Sequence, residues 1–308
     1  MSTSSTTAGH HLSPVEQSCW TDTETGVTEE TKFLGLPGQQ ILAFLHRPTS
    51  RAVVGGVVIC GSLFEDFQIN YRREVLVARR LAQRGFATVR FHYRSVGNSD
   101  GLPSGAVSFD SMVEDASTAA TWLAARVGIT RPVMCGSRLG ALVAAHLAAR
   151  GGHAPLVLWA PILSGGDFFR GMSRASLLAG VRAEARKRQS SASTEGRLRT
   201  EASVEMLANR VHRSSYEDLG SRSLPEAPGR GQQVLLVQLA TGDALTAGPQ
   251  ALVSRWRAAG AVVDVLMVRA RQVWTVPDEW QPEEDRAPTL ALVEGISTWV
   301  DGMASATP

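Results

Sequence analysis

Between Val53 and Ala160, short and almost unbroken apolar runs alternate with longer stretches of helical periodicity, and few architectures accept that rhythm. Val53–Cys60 (VVGGVVIC), Ala87–Phe91, Pro132–Cys135 and Leu156–Ala160 have the length and composition of strands covered on both faces. Asn70–Arg84 carries Val75, Leu76, Ala78 and Leu81 at helical spacing and is stopped by Gly85. Phe109–Val127 and Leu139–Arg150 have the same helical character. The alternation predicts an α/β protein whose parallel strands, joined by right-handed crossovers, form a doubly wound, mostly parallel sheet. The pattern resumes with a strand at Val234–Leu239, a helix near Pro249–Ala259, a strand at Val262–Val268 and a terminal helix at Thr289–Val300. Ahead of it, Lys32–Leu36 and Gln40–His46 flank Pro37-Gly38 and predict an antiparallel hairpin.

These limits divide the 308 residues into three parts. Residues 1–20, rich in Ser and Thr, are expected as a flexible tail. Residues 21–161 and 233–308 form the α/β core. Residues 162–232, helical in composition, interrupted by Ser, Thr and Gly and without a strand candidate, are expected as an inserted helical cap. Its basic run RAEARKRQ (Arg182–Gln189) has Glu184, Glu195 and Glu201 nearby and no interleaved aromatics, which is the pattern of a solvated helix face.

With 44% hydrophobic and 19% charged residues the chain can build a sizeable core, which excludes a disordered chain and a small disulfide scaffold. A net charge of +2 gives no electrostatic case for nucleic acid or acidic lipid. No apolar run approaches the roughly 20 residues of a membrane span. The polar N-terminus lacks a signal-peptide layout, and Cys19, Cys60 and Cys135 are too scattered for a disulfide framework or a metal cluster. A cytoplasmic protein without metal or cofactor is expected, since Gly136–Gly140 is not a dinucleotide loop and the seven histidines are dispersed.

Ligands of such sheets sit beyond the carboxyl ends of the strands, which singles out the loops Cys60–Gln68, His92–Gly101, Cys135–Gly140 and Pro161–Asp167. In PVMCGSRLGALVAA (Pro132–Ala145) a strand, a tight turn between two glycines and a helix match the nucleophile-elbow layout G-x-Nu-x-G. The register is Gly136-Ser137-Arg138-Leu139-Gly140, so the tip residue is Arg138 rather than Ser, Cys or Asp. Both glycines suit a turn that needs close backbone approach and an unusual dihedral.

Four pieces together resemble the α/β-hydrolase superfamily, in a branch similar to serine-aminopeptidase-like and exosortase-associated hydrolase-like proteins. They are the strand ending Cys60-Gly61, the loop FHYRSVGNSDG (Phe91–Gly101), the elbow GSRLG and LVLWAPILSG (Leu156–Gly165). The loop resembles the family's F-D-x-R-G-x-G-x-S, with His92 in place of the usual acid. The resemblance spans roughly Phe33 to Val300 and implies an acid at Asp243 and a histidine near Arg269–Trp274. No histidine follows His212, so two members of a Ser-His-Asp triad are missing.

Arg138 at a helix N-terminus opposes the helix dipole, so it calls for a carboxylate partner, Glu65 or Asp66, or for an anionic ligand. Ser137, one position early, is a weak substitute nucleophile, and Cys60 and Cys135 are expected in the core. The candidate catalytic residues are Arg138, Glu65, His92, Asp243 and Ser137. Gly61, Ser62, Leu139 and Trp274 are candidates for substrate binding, and Trp280 lies in the same loop as Trp274. Two functions remain open. One is an enzyme that cleaves an acyl ester of a small molecule without a triad. It would work by hydrolysis or by eliminating the acyloxy group as carboxylate, as acetate-eliminating enzymes of this fold do in natural-product pathways. The other is a catalytically inactive pseudo-hydrolase that binds an acidic ligand or a protein partner.

Overall fold

Among the described residues, nine strands share one sheet, accompanied by seven helices and a separate two-stranded hairpin. A computed structural model describes residues 17–102, 104–184, 196–197, 201–270 and 285–305. The elements are β1 (Gln17–Asp22), β2 (Val27–Leu34), β3 (Ile41–Pro48), β4 (Gly55–Cys60), α1 (Phe64–Gln83), β5 (Phe86–Phe91), α2 (Phe109–Val127), β6 (Val133–Ser137), α3 (Gly140–Arg150), β7 (Leu156–Trp159) and α4 (Gly165–Glu184). There follow β8 (Ser203–Met206), β9 (Asn209–His212), α5 (Arg213–Gly220), β10 (Gln233–Ala240), α6 (Ala247–Ala258), β11 (Val262–Arg269) and α7 (Arg286–Ser305). The sheet order is β1-β2-β3-β5-β4-β6-β7-β10-β11. Pairing is antiparallel from β1 through β3 to β5 and parallel from β5 onward.

Alternation along the strands divides the core into two layers. Val58, Cys60, Met134 and Leu236 face α2, α3 and α6. Val57, Ile59, Cys135, Val157 and Val237 face α1 and α7. Each fully buried large apolar side chain contributes roughly 1.5–3 kcal/mol relative to exposure. Cys60 and Cys135 are both buried in these layers, and burial pushes the Cys60 thiol up to about 12 and the Cys135 thiol up as well.

Three expectations need correction. The tail does not reach residue 20, because Gln17–Asp22 pairs with Val27–Lys32 as an edge strand. α1 begins at Phe64, so Glu65 and Asp66 belong to its first turn rather than to a loop. The stretch between β7 and β10 contains the antiparallel pair β8–β9, although no strand was expected there. Its connection places Leu207 and Ala208 at φ 49° and 59°, a turn normally built from Gly or Asn. Of the basic run, residues 185–189 lie outside the described residues. Among the described residues, no helix is long and apolar enough to cross a membrane.

Candidate functional site

The elbow is packed backbone against backbone. A Cβ on Gly136 would stand 2.5 Å from the Ala141 Cα and 2.5 Å from the Gly140 carbonyl oxygen. One on Gly140 would stand 2.1 Å from the Cys60 carbonyl oxygen and 2.3 Å from that of Gly61. Close approach is therefore what both glycines supply. The unusual dihedral belongs to the tip itself, where Arg138 has φ 51°. Arg138 N donates to the Trp159 carbonyl at 3.0 Å, which ties the turn to the neighbouring strand.

The guanidinium answers the helix N-terminus with an internal carboxylate. Arg138 Nε donates to Asp66 Oδ2 at 2.9 Å, and Nη1 lies 3.5 Å from the Ala160 carbonyl oxygen. The two side chains are 13% and 6% exposed, so the pair is nearly dry. Burial pushes the Asp66 carboxyl above its ordinary value and the Arg138 guanidinium pulls it part of the way back. Arg138 itself stays protonated, because a guanidinium does not lose its proton in a protein. Two more strained residues bracket this pair. Phe64 opens α1 at φ 56°, two residues before Asp66, and Ala160, whose carbonyl faces Arg138, has φ 43°. Left-handed non-glycine residues cost about 1–3 kcal/mol each and gather where function holds them.

Ser62 completes the cluster. Its hydroxyl accepts from Leu139 N at 3.4 Å and also hydrogen-bonds the Asp66 carboxylate. Leu139 N is the amide after the nucleophile position, where an oxyanion donor belongs in an acyl-transfer site. Gly61 lies behind the elbow, and a Cβ there would come 3.2 Å from Glu74 Oε2.

The other candidates lie elsewhere. Glu65 is half-buried, and the residue that pairs with Arg138 is Asp66. Neighbouring helix positions point about 100° apart, so only one of the two can face the elbow. Ser137 is fully buried and donates through Oγ to Glu74 Oε1 at 2.6 Å, away from the tip. His92 Nδ1 accepts from Asn98 N at 3.3 Å, and burial together with Arg90 pushes its pKa down to about 4. Its one lone pair is occupied, so it cannot serve as the base. Asp243 is exposed and bonds Arg269 Nη2 at 2.5 Å, and of the Arg269–Trp274 stretch where the family's histidine was expected, residues 271–274 lie outside the described residues. Trp274 and Trp280 lie outside the described residues. Among the described residues, no group of three or more His, Cys, Asp or Glu side chains could hold a metal ion.

Sheet order and elbow together are those of the α/β-hydrolase fold. The family model described as serine aminopeptidase, S33, matches residues 68–213. Among solved structures, the chain is similar to Est1E from Butyrivibrio proteoclasticus with ferulic acid bound, at 13% identity, TM-score 0.56, and coverage of 87% of this chain and 97% of that one. Alpha/beta hydrolase domain-containing protein 10 from mouse is 16% identical at TM-score 0.54, with 89% and 99% covered. XC6422 from Xanthomonas campestris, described as an a/b serine hydrolase without lid, is 16% identical at TM-score 0.51, with 96% and 99% covered. No curated protein matches the chain significantly.

Sequence reasoning named Asp66 only as an alternative and missed Glu74, Phe64 and Ala160. Asp66, Asn70 and Glu74 form an i, i+4, i+8 row on α1, and all three are buried. In sequence a polar row of that kind looks like a solvated helix face, so nothing in it marks burial.

Proposed function

We propose that the protein cleaves an acyl ester of a small, carboxylate-bearing molecule without forming an acyl-enzyme. The observation that carries this is the buried Arg138–Asp66 pair at the elbow tip, flanked by strained backbone. Buried ion pairs are poor sources of stability, and strain adds to their cost, so a purely architectural role does not account for them. The segment between β7 and β10 serves as the cap.

In this scheme the substrate carboxylate takes the Arg138 fork, which suits it bidentately. Asp66 thereby loses its counter-charge while remaining buried, and its proton affinity rises. It then accepts a proton from water attacking the ester carbonyl, and returns it to the departing alkoxide. Alternatively it accepts a carbon-bound proton as the C–O bond breaks, the electron pair forms a double bond, and the acid leaves as carboxylate. No enzyme nucleophile is needed in either course.

A second reading, a ligand-binding pseudo-hydrolase, is favoured by the Ser62 hydroxyl on Leu139 N, which fills the oxyanion position. Incubating the protein with a panel of acylated small molecules in oxygen-18 water distinguishes these cases. Labelled acid means hydrolysis, and unlabelled acid with an unsaturated product means elimination. Either activity should fall at least about a hundredfold in Arg138→Ser and in Asp66→Asn, the scale expected of a charge-stabilising or general-base group. Tight binding of panel carboxylates without turnover would establish the second reading, and turnover unchanged by both substitutions would overturn the first.

A further inference from the structure

His92 is rigidly presented and, among the described residues, has one unused hydrogen-bond donor. The ring follows β5, and the loop after it is braced on all sides. Ser99 Oγ donates to the His92 carbonyl at 2.7 Å and accepts from Leu42 N at 2.8 Å, and Arg94 bonds Asp115. Gly97, at φ 56°, lets the loop lie against the imidazole, since a Cβ there would stand 2.4 Å from Nδ1. With Nδ1 accepting from Asn98 N, the proton of the neutral ring must reside on Nε2. That Nε2–H is buried and has no hydrogen-bond partner among the described residues. The imidazole ring lies against Phe44, Phe67 and Tyr71, whose ring centroids are 5.2, 5.2 and 5.8 Å from that of His92. All three are half-buried, so they form a rim rather than a closed core. Arg90 backs two of them at 4.8 and 5.0 Å, and its Nε is already committed to His46.

The geometry points to a ligand subsite in which His92 Nε2–H donates to the oxygen of an uncharged carbonyl group whose apolar or aromatic flank lies against Phe44, Phe67 and Tyr71. A fixed neutral donor beside three half-buried aromatic rings recognises an acceptor oxygen in apolar surroundings, whereas a fully solvated ion would lose its hydration there. The low proton affinity of the ring keeps it a donor of this single tautomer throughout the neutral range. This subsite is independent of any role for Arg138.

Acetophenone and ethylbenzene test it as a matched pair, because they share a carbon skeleton and only the first has the oxygen. In full-length protein labelled with nitrogen-15 histidine, the Nε2–H resonance of His92, identified by its loss in His92→Gln and by contacts to the aromatic rim, should be visible between pH 6 and 8. Acetophenone should shift it and slow its exchange, and ethylbenzene should leave it in place. In His92→Phe the affinity for acetophenone should drop about tenfold, towards that for ethylbenzene. Three results would overturn the proposal: a proton found on Nδ1, equal effects of the two probes, or a donor already protected from exchange and unmoved by either, as a trapped water would make it. The resonance measurements stand even if His92→Phe fails to fold.

Discussion

Glu74 carries a carboxyl into the centre of the molecule and gives it a single hydroxyl to hold. Burial pushes its proton affinity up, while the Ser137 hydrogen bond and Arg90 pull it down, and the net direction is upward. A carboxyl raised in the folded state binds more protons folded than unfolded, so the stability it contributes is present at acid pH and lost as pH rises above the carboxylate range. Glu74→Gln keeps an oxygen for Ser137 and removes the titration. The variant should match the wild type in urea unfolding near pH 4.5 and be more stable at pH 7.5; equal stability at both would mean that Glu74 does not titrate with folding. At this scale the sequence revealed the residues whose role is covalent geometry. The spacing of Gly136 and Gly140 located the tip at Arg138, and an elbow dictates that Ser137 points away from it. It did not reveal which carboxylate meets Arg138, because that depends on where α1 starts. Nor could it show that Asp66 and Glu74 are buried, since the same letters on an exposed helix would look identical.

Elements were readable where their ends carry chemistry. α2 was expected near Phe109–Val127, and chemistry marks both ends: Ser108 accepts from Ser111 N at 3.2 Å at one, and Gly128 takes φ 71° at the other. α1 was begun six residues late, because Phe64 enters it from the left-handed region and its first buried positions are polar. β8–β9 escaped notice because Leu207-Ala208 is not turn chemistry. How the inserted segment attaches to the core is likewise invisible in sequence. Asp218 of α5 accepts from Phe109 N, the first residue of α2, at 2.6 Å. Arg222 bonds Asp218 at 2.7 Å and lies 5.1 Å above the Phe109 ring. A carboxylate there satisfies an N-terminal amide that α2 cannot satisfy itself and faces the positive end of its dipole. Asp218→Ala should cost about 1–2 kcal/mol in urea unfolding and Asp218→Asn less, as with lost helix caps elsewhere. Hydrogen exchange should quicken at the Phe109 amide in the alanine variant. Unchanged exchange would show that the insertion is anchored by other contacts.

Across the whole molecule the sheet separates two faces of different character, and acid should expose the difference. The face towards α2 and α3 holds a large apolar cluster, and its charged groups come as separate pairs on α2, Arg94–Asp115 and Arg126–Glu30. The face towards α1 also carries a line of charge that joins β2, β3, β5 and α1. Arg79 Nε bonds Glu29 Oε1 at 2.5 Å, Glu29 faces His46 Nδ1 at 3.5 Å, and His46 Nε2 accepts from Arg90 Nε at 3.1 Å. His46 and Arg79 hold the Glu29 carboxyl down at about 2. Burial, reinforced by Arg90, lowers the proton affinity of His46, with Glu29 opposing. Protonating His46 would remove the acceptor that Arg90 uses and set two cations side by side in a dry site. A histidine lowered in the folded state contributes stability that is present above its unfolded value, about 6.5, and lost as pH falls towards the folded one. Asp66 and Glu74, raised by burial, work in the opposite sense, so the pH profile of the wild type alone would blend the two. The comparison with His46→Gln separates them, because the glutamine oxygen can still accept from Arg90 and the carboxyls are common to both proteins. The wild type should be the more stable at pH 7.5, and the gap should narrow steadily as the pH falls from 6.5 towards 4.5. A gap constant over that range would mean that His46 is proton-neutral in folding, and acid lability would then have to arise outside this line of charge.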